Sequence, residues 1–115
     1  MKSRAHRVFT WLIVALSVVH IAATPAIFSE LKSSLAWFVG VGLMGLFLAF
    51  LNFIAARHSG DRAITRFCLA ANVLGALFAG GNIITDPAPQ SYVAALLFIG
   101  LALSAPRPSR NASVT

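Results

Sequence analysis

The residue whose type most readily suggests chemistry is a histidine inside an apolar segment. His20 lies within residues 8–28, and at about 1.5 Å per helical residue it would sit roughly 18 Å from the start of that segment. Ionisable side chains at such a depth in a membrane helix usually face a bundle interior or a water-filled cavity. Thr24 follows one helical turn later, while Asn82 and Asp86 reach a similar depth from the third apolar segment. These four residues predict a ligand-binding pocket in the outer half of a helix bundle.

Two interpretations of His20 stay open at this point. If it lines a pocket, ligand binding should depend on pH, because a histidine can titrate near neutrality. If it does not, a neutral His20 hydrogen-bonds to a side chain or carbonyl of a neighbouring helix and only holds the helices together, as polar residues inside membranes often do.

Little else in the sequence points to catalysis. The only acidic residues are Glu30, Asp61 and Asp86, each near a helix end, and there is no Ser-His-acid set, phosphate-binding loop or nucleotide fingerprint. The single cysteine, Cys68, allows neither an intramolecular disulfide nor a thiolate metal cluster. We therefore expect no enzyme activity, no cofactor and no metal, and an enzymatic or redox role would need ligands from a partner chain.

The composition identifies the class of protein. The chain has 115 residues, of which 58% are hydrophobic and 10% are charged, whereas a soluble domain carries roughly 25% charged residues. The mean hydropathy is +0.83. These values exclude a soluble globular domain, a disordered chain, a disulfide scaffold and a nucleic-acid-binding domain. We predict an integral membrane protein with one domain, 1–105, and a polar, disordered tail, 106–115.

Four apolar segments predict four transmembrane helices, because a hydrocarbon core of about 30 Å needs roughly 20 helical residues. Their bounds are about 8–28, 35–58, 62–84 and 87–105. Short loops join antiparallel neighbours, so the simplest fold is an all-α bundle with up-down-up-down topology. In the second loop, Gly60 could end one helix in a left-handed cap and Asp61 could cap the next.

The basic residues predict the orientation of this bundle. Both termini and the second loop should be cytoplasmic, since basic residues concentrate on the cytoplasmic side. One basic residue, Lys32, lies on the opposite side, and eight lie on the predicted cytoplasmic side: Lys2, Arg4, Arg7, Arg57, Arg62, Arg66, Arg107 and Arg110. The pattern is typical of a multi-pass protein of a bacterial cytoplasmic (inner) membrane. His6 and His58 would belong to the same basic collar, attracted to anionic lipid headgroups.

The first segment has a competing interpretation as a secretory signal. Its basic start, apolar stretch and small residues near Thr24–Ala26 resemble a signal peptide with a cleavage site, and cleavage would leave three helices. We favour an uncleaved helix because the apolar stretch runs long and three further spans follow.

Small and polar residues recur at steps of three and four in the second and third segments. Such stripes mark faces where helix backbones approach closely in lipid. They comprise Gly42, Gly45, Ala49, Asn52 and Ala56 in the second segment, and Thr65, Cys68, Asn72, Gly75, Ala79, Asn82 and Asp86 in the third. A single antiparallel register would pair them in order, from Ala56 with Cys68 to Gly42 with Asn82. It predicts a hydrogen bond between Asn52 and Asn72.

The outer segments carry weaker stripes of the same kind. We expect all of these residues to face the bundle interior: Thr10, Ile13, Ser17, His20 and Thr24 in the first, and Ser91, Ala95, Phe98, Ala102 and Ala105 in the fourth. Phe47, Phe50 and Ile54 lie off the second stripe, so they should face lipid or a second subunit.

Two function classes follow from these patterns. The first is a structural or accessory membrane protein that acts through helix contacts with itself, as a homo-oligomer, or with a larger membrane complex. The alternative is a binder or transporter of a small molecule or lipid, with the polar pocket around His20. The lipid bilayer is a partner in both, and nucleic acid is a partner in neither.

Overall fold

The computed structural model describes residues 2–27 and 33–107, and within those ranges the chain is all-helical with no strands. The helices are α1 (Lys2–Ile27), α2 (Ser33–Arg57), α3 (Arg62–Thr85) and α4 (Pro89–Ser104). The prediction of four helices is confirmed. Glu30, Lys32 and most of the predicted tail, 108–115, lie outside the described residues.

Three of the helices are long and apolar enough to cross a membrane, over 22, 23 and 24 residues. The fourth has 16 residues, a length of about 24 Å at 1.5 Å per residue. It begins with Pro89 in its first turn, where the missing N–H of proline costs no hydrogen bond. Helix α1 begins at Lys2, ahead of the predicted start at residue 8, so its basic end extends past the apolar segment.

Helices α1 and α2 lie antiparallel, side by side. The His6 ring bonds to Asn52 near one end of the pair, and the His20 ring bonds to Phe38 near the other. We call the first end, where α2 finishes at Arg57, the proximal end, and the opposite end the distal end.

Helices α3 and α4 form a second antiparallel pair, joined at the distal end by residues 86–88. Near that loop, Asn82 contacts Ser91, and deeper in the bundle Gly75 packs against Phe98. At the proximal end, Gly100 of α4 lies directly against the Phe9 ring of α1. Together the helices form the up-down-up-down arrangement.

The core between the pairs consists mostly of small and medium-sized apolar residues, with one aromatic ring. It contains Ile13, Leu48, Ala49, Ala79, Ala95, Phe98 and Leu101. Most of the larger apolar side chains point outwards, with Phe47, Phe50 and Ile54 about half exposed or more. This inside-out distribution suits a bilayer, where small residues mediate helix packing and lipid covers large apolar side chains.

The loop between α2 and α3 differs from the prediction in one respect. None of the glycines described has a positive φ, so the predicted left-handed cap at Gly60 is wrong. The turn closes instead through backbone hydrogen bonds from His58 to Ile54 and from Asp61 to His58. The predicted cap at Asp61 is confirmed, because its carboxylate accepts a hydrogen bond from the Ile64 amide at 3.1 Å.

The register predicted between α2 and α3 holds where Asn52 meets Asn72 but fails towards both ends of the helices. Gly42 packs against Ile21 of α1, and Gly45 packs against Ser17 of the same helix, so the predicted pairs with Asn82 and Ala79 are wrong. In this distal part of the bundle, helix α2 packs against α1, and a cavity separates α2 from α3.

Two residues in the predicted stripes are also displaced. Ala56 is exposed while Ala55 is fully buried, so Ala56 does not pack against Cys68. In α4, Leu101 is fully buried and Ala102 is only half-buried. The 3.6-residue period lets either of two adjacent residues face the core, and the neighbouring helices decide which one does.

Candidate functional site

A cavity of about 390 Å³ opens at the distal end, between the α1–α2 pair and the α3–α4 pair. We call it the distal cavity. The small residues Gly42, Gly45 and Ala79 contribute to its walls, because side chains of this size leave the space unfilled. Its apolar lining comes mainly from Leu16, Val19, Phe38, Met44, Phe78 and Phe98.

His20 lines this cavity and is held in a defined orientation. Its ring stacks on Phe38, with centroids 3.7 Å apart and planes 16° apart. Its Nε2 atom lies 2.8 Å from the Phe38 carbonyl oxygen. A carbonyl oxygen only accepts hydrogen bonds, so Nε2 carries the proton, and in the neutral ring Nδ1 keeps a lone pair that can accept one. The two interpretations of His20 therefore combine, since the side chain both ties α1 to α2 and lines the cavity.

Apart from Ser17 of α1, the remaining polar side chains of the cavity lie on α3, on α4 and in the loop between them. Asn82 donates a 3.3 Å hydrogen bond to the Ser91 hydroxyl, while Asp86 and Gln90 are exposed. Asn82, Ser91, Asp86 and Gln90 all line the cavity. The cavity is thus mostly apolar towards the bundle centre and polar at its distal mouth.

Three of the four predicted pocket residues meet at this cavity, and the fourth does not. His20, Asn82 and Asp86 contribute to its lining, but Thr24 does not. Thr24 is buried, and its hydroxyl donates to the His20 carbonyl one turn earlier at 3.2 Å. This bond within the helix satisfies the hydroxyl and takes it out of the predicted site.

A second polar site lies near the proximal end, where α1, α2 and α3 meet. The expected hydrogen bond between Asn52 and Asn72 is confirmed in both directions, at 2.7 and 2.9 Å. The Asn52 carbonyl oxygen also accepts from His6 Nε2 at 2.8 Å and from the Cys68 thiol at 3.2 Å. Its amide nitrogen donates to the Leu48 carbonyl at 2.8 Å. We call this group, from His6 to Cys68, the Asn52 network.

His6 is the residue that sequence reasoning misplaced. We expected an exposed position in a basic collar, yet its side chain is only 2% exposed. The signal was present in the α1 stripe, since His6 lies one turn before Thr10, and Thr10 in turn donates to the His6 carbonyl at 2.7 Å. Extending the stripe backwards by one helical turn would have placed His6 inside.

The described residues hold no group of three or more histidine, cysteine or acidic side chains that could ligate a metal. The buried polar side chains are satisfied by other side chains or by backbone carbonyls, and no buried side-chain nitrogen or oxygen described lacks a partner. The interior of a membrane bundle requires such internal hydrogen bonds, because polar groups there cannot bond to water.

Comparisons of the chain with models of protein families, with curated proteins and with solved structures found no match.

Proposed function

We propose that the protein binds a small amphipathic molecule in the distal cavity. The observation that carries this proposal is the cavity itself, about 390 Å³ in volume, with an apolar interior and a polar mouth. Ligand sites typically measure about 300–1,000 Å³ and combine mostly apolar walls with a few polar groups. The apolar part of the ligand would lie towards Phe98, and its polar head would lie near His20 and Asp86.

The polar groups favour a hydrogen-bond donor as the ligand's head. Neutral His20 offers the Nδ1 lone pair, and the Asp86 carboxylate only accepts hydrogen bonds. A hydroxyl or an ammonium group would satisfy both acceptors, whereas a carboxylate head would be repelled by Asp86. We therefore expect an alcohol or an amine with an apolar body.

Native mass spectrometry of the purified protein tests this proposal. We expect a retained small-molecule mass, because the apolar walls of the cavity and the polar groups at its mouth together suit an amphipathic molecule. The variant Ala94→Leu should reduce the retained mass by filling the cavity. The matched control Ala70→Leu changes an exposed position of α3 outside the cavity and should retain it.

Two results would contradict the proposal. One is a protein that carries no adduct. The other is a His20→Ala variant that folds normally and retains the ligand unchanged, since the head group would then not depend on the imidazole.

A second candidate function is structural, through contacts with another copy of the chain or a larger membrane complex. The exposed face of α2 formed by Phe47, Phe50 and Ile54 supports it. Oxidative crosslinking of Ile54→Cys in a Cys68→Ala background would produce a covalent dimer if two copies meet at this face. Absence of a dimer would indicate that lipid, and not a second copy, contacts this face of α2.

For either function we propose a bacterial cytoplasmic membrane with both termini in the cytoplasm. The support is the concentration of basic residues near the chain ends and the second loop, where Arg4, Arg7, Arg57, Arg62 and Arg66 lie.

A further inference from the structure

A second recess lies at the proximal end, between the first turns of α1 and the last turns of α2. It encloses about 790 Å³ and does not involve the distal cavity. We call it the proximal cleft. Its lining residues include His6, Arg7, Trp11, Phe53, Arg57 and His58.

The charge in this cleft is entirely positive. Arg7 and Arg57 approach from different helices, and no acidic residue contributes to the lining. Both arginines are exposed, and no ion pair within the described part of the chain neutralises either of them. The nearest acid along the chain, Asp61, uses its carboxylate to cap α3. Two guanidinium groups facing one recess form a strong site for a phosphate, because each presents several donors in a planar fork.

The cleft also has an apolar side that continues onto the membrane-facing surface. Trp11 and Phe53 form one wall, with ring centroids 5.0 Å apart in an edge-to-face arrangement. Ile54, which also lines the cleft, is 48% exposed on the outside of α2. A molecule with a phosphate in the cleft could therefore lay an apolar chain along α2 without leaving the lipid.

From this combination we infer that the proximal cleft binds the headgroup of an anionic phospholipid. Arg7 and Arg57 would hold the phosphate, and Trp11 and Phe53 would contact the glycerol and first acyl carbons. Basic pockets between membrane helices recognise anionic headgroups in this way. A soluble phosphate would use the arginines but not the apolar wall, so the wall favours a lipid. This inference does not depend on the function proposed for the distal cavity.

Tryptophan fluorescence provides a direct test, because Trp11 lies in the cleft. The substitution Trp37→Phe removes the chain's other tryptophan, which is 77% exposed near the distal end. The protein would be placed in phosphatidylcholine vesicles containing a small fraction of brominated phosphatidylglycerol or, separately, brominated phosphatidylcholine. We expect phosphatidylglycerol to quench Trp11 at a lower mole fraction than phosphatidylcholine does.

Three single variants distinguish binding of the lipid by the cleft from attraction of the lipid by the net charge of the protein. Arg7→Gln and Arg57→Gln should each weaken the preference for phosphatidylglycerol about fivefold, which corresponds to about 1 kcal/mol per basic residue near an anionic surface. Arg66→Gln removes the same charge from an exposed position of α3 outside the cleft and should keep most of the preference.

The inference would be overturned by equal quenching from the two lipids, or by an Arg66→Gln variant as weakened as the two cleft variants. The first result would mean that the cleft does not select charge, and the second that only the overall charge matters. Inorganic phosphate that binds the protein in pure phosphatidylcholine vesicles, together with equal quenching from the two lipids, would show that the cleft takes the free anion and not the lipid.

Discussion

At the residue scale, the Asn52 network shows how one side chain can organise three helices. Its amide joins α2 to α3 through Asn72 and to α1 through His6, and it is fully buried. Three donors converge on its single carbonyl oxygen. Removing that oxygen leaves all three without their partner in a region where water cannot replace it.

We expect Asn52→Ala to destabilise the bundle by about 0.6–2 kcal/mol, the range found for hydrogen bonds between membrane helices. Unfolding in mixed micelles, followed by circular dichroism, would measure the change. The control Asn82→Ala removes an exposed amide whose two hydrogen bonds, to Ser91 and from Thr85, are both long, so its effect should be smaller. Equal losses for the two variants would contradict a special role for Asn52.

At the element scale, some glycines let a side chain of a neighbouring helix pack directly against the helix backbone. Gly100 of α4 lies against the Phe9 ring, and a Cβ added there would collide with three ring atoms. The mid-helix Gly80 of α3, in contrast, has nothing within 4 Å of the position of a Cβ. The two glycines have the same helical backbone but different surroundings. Substituting each by alanine therefore distinguishes the effect of packing between helices from the effect of helix propensity.

We expect Gly100→Ala to destabilise the protein by about 1–3 kcal/mol, the usual cost of overpacking. Gly80→Ala should be neutral or stabilising by up to about 1 kcal/mol, because alanine restricts the unfolded chain and favours helix. The same unfolding measurement compares the two. If both substitutions were neutral, α4 would not pack tightly against α1.

The start of α3 offers a second test at this scale. Asp61→Ala should cost about 1 kcal/mol, since the Ile64 amide loses the acceptor that caps the helix. Asp61→Asn keeps a capping oxygen and should retain most of the stability. Hydrogen exchange at the Ile64 amide reports the change locally, and unaltered protection in Asp61→Ala would show that the cap contributes little.

At the scale of the whole molecule, the antiparallel order places the two described loops at opposite ends of the bundle. Gly60 lies in the proximal loop and Pro87 in the distal loop, and both are exposed. If the bundle crosses a membrane as its long apolar helices indicate, the two loops must lie on opposite sides.

Single-cysteine variants test this arrangement, in a Cys68→Ala background. In intact cells, we expect a membrane-impermeant maleimide to label Pro87→Cys and to label Gly60→Cys only after permeabilisation, because the concentration of basic residues there predicts a cytoplasmic proximal end. Labelling of both variants in intact cells would contradict a single orientation.

The sequence by itself determined the number of helices and most of their inward faces. In α3, every residue buried in the structure belongs to the predicted stripe: Thr65, Cys68, Asn72, Gly75 and Ala79. This success has a local cause, since the helical period and the exclusion of large side chains from helix contacts are both properties of a single segment. The prediction that His20, Asn82 and Asp86 lie close together also used a local property, the depth of each residue along its own helix.

Only the tertiary structure decided which helix each face touches. Gly42 and Gly45 lie on a correctly predicted stripe, yet they pack on α1, and the distal cavity exists because α3 stands apart from them. In the same way His6 is buried only because α2 brings Asn52 to it. A stripe of small residues indicates that another helix packs closely against that face. Which helix does so depends on how all four helices pack together, and no single segment determines that.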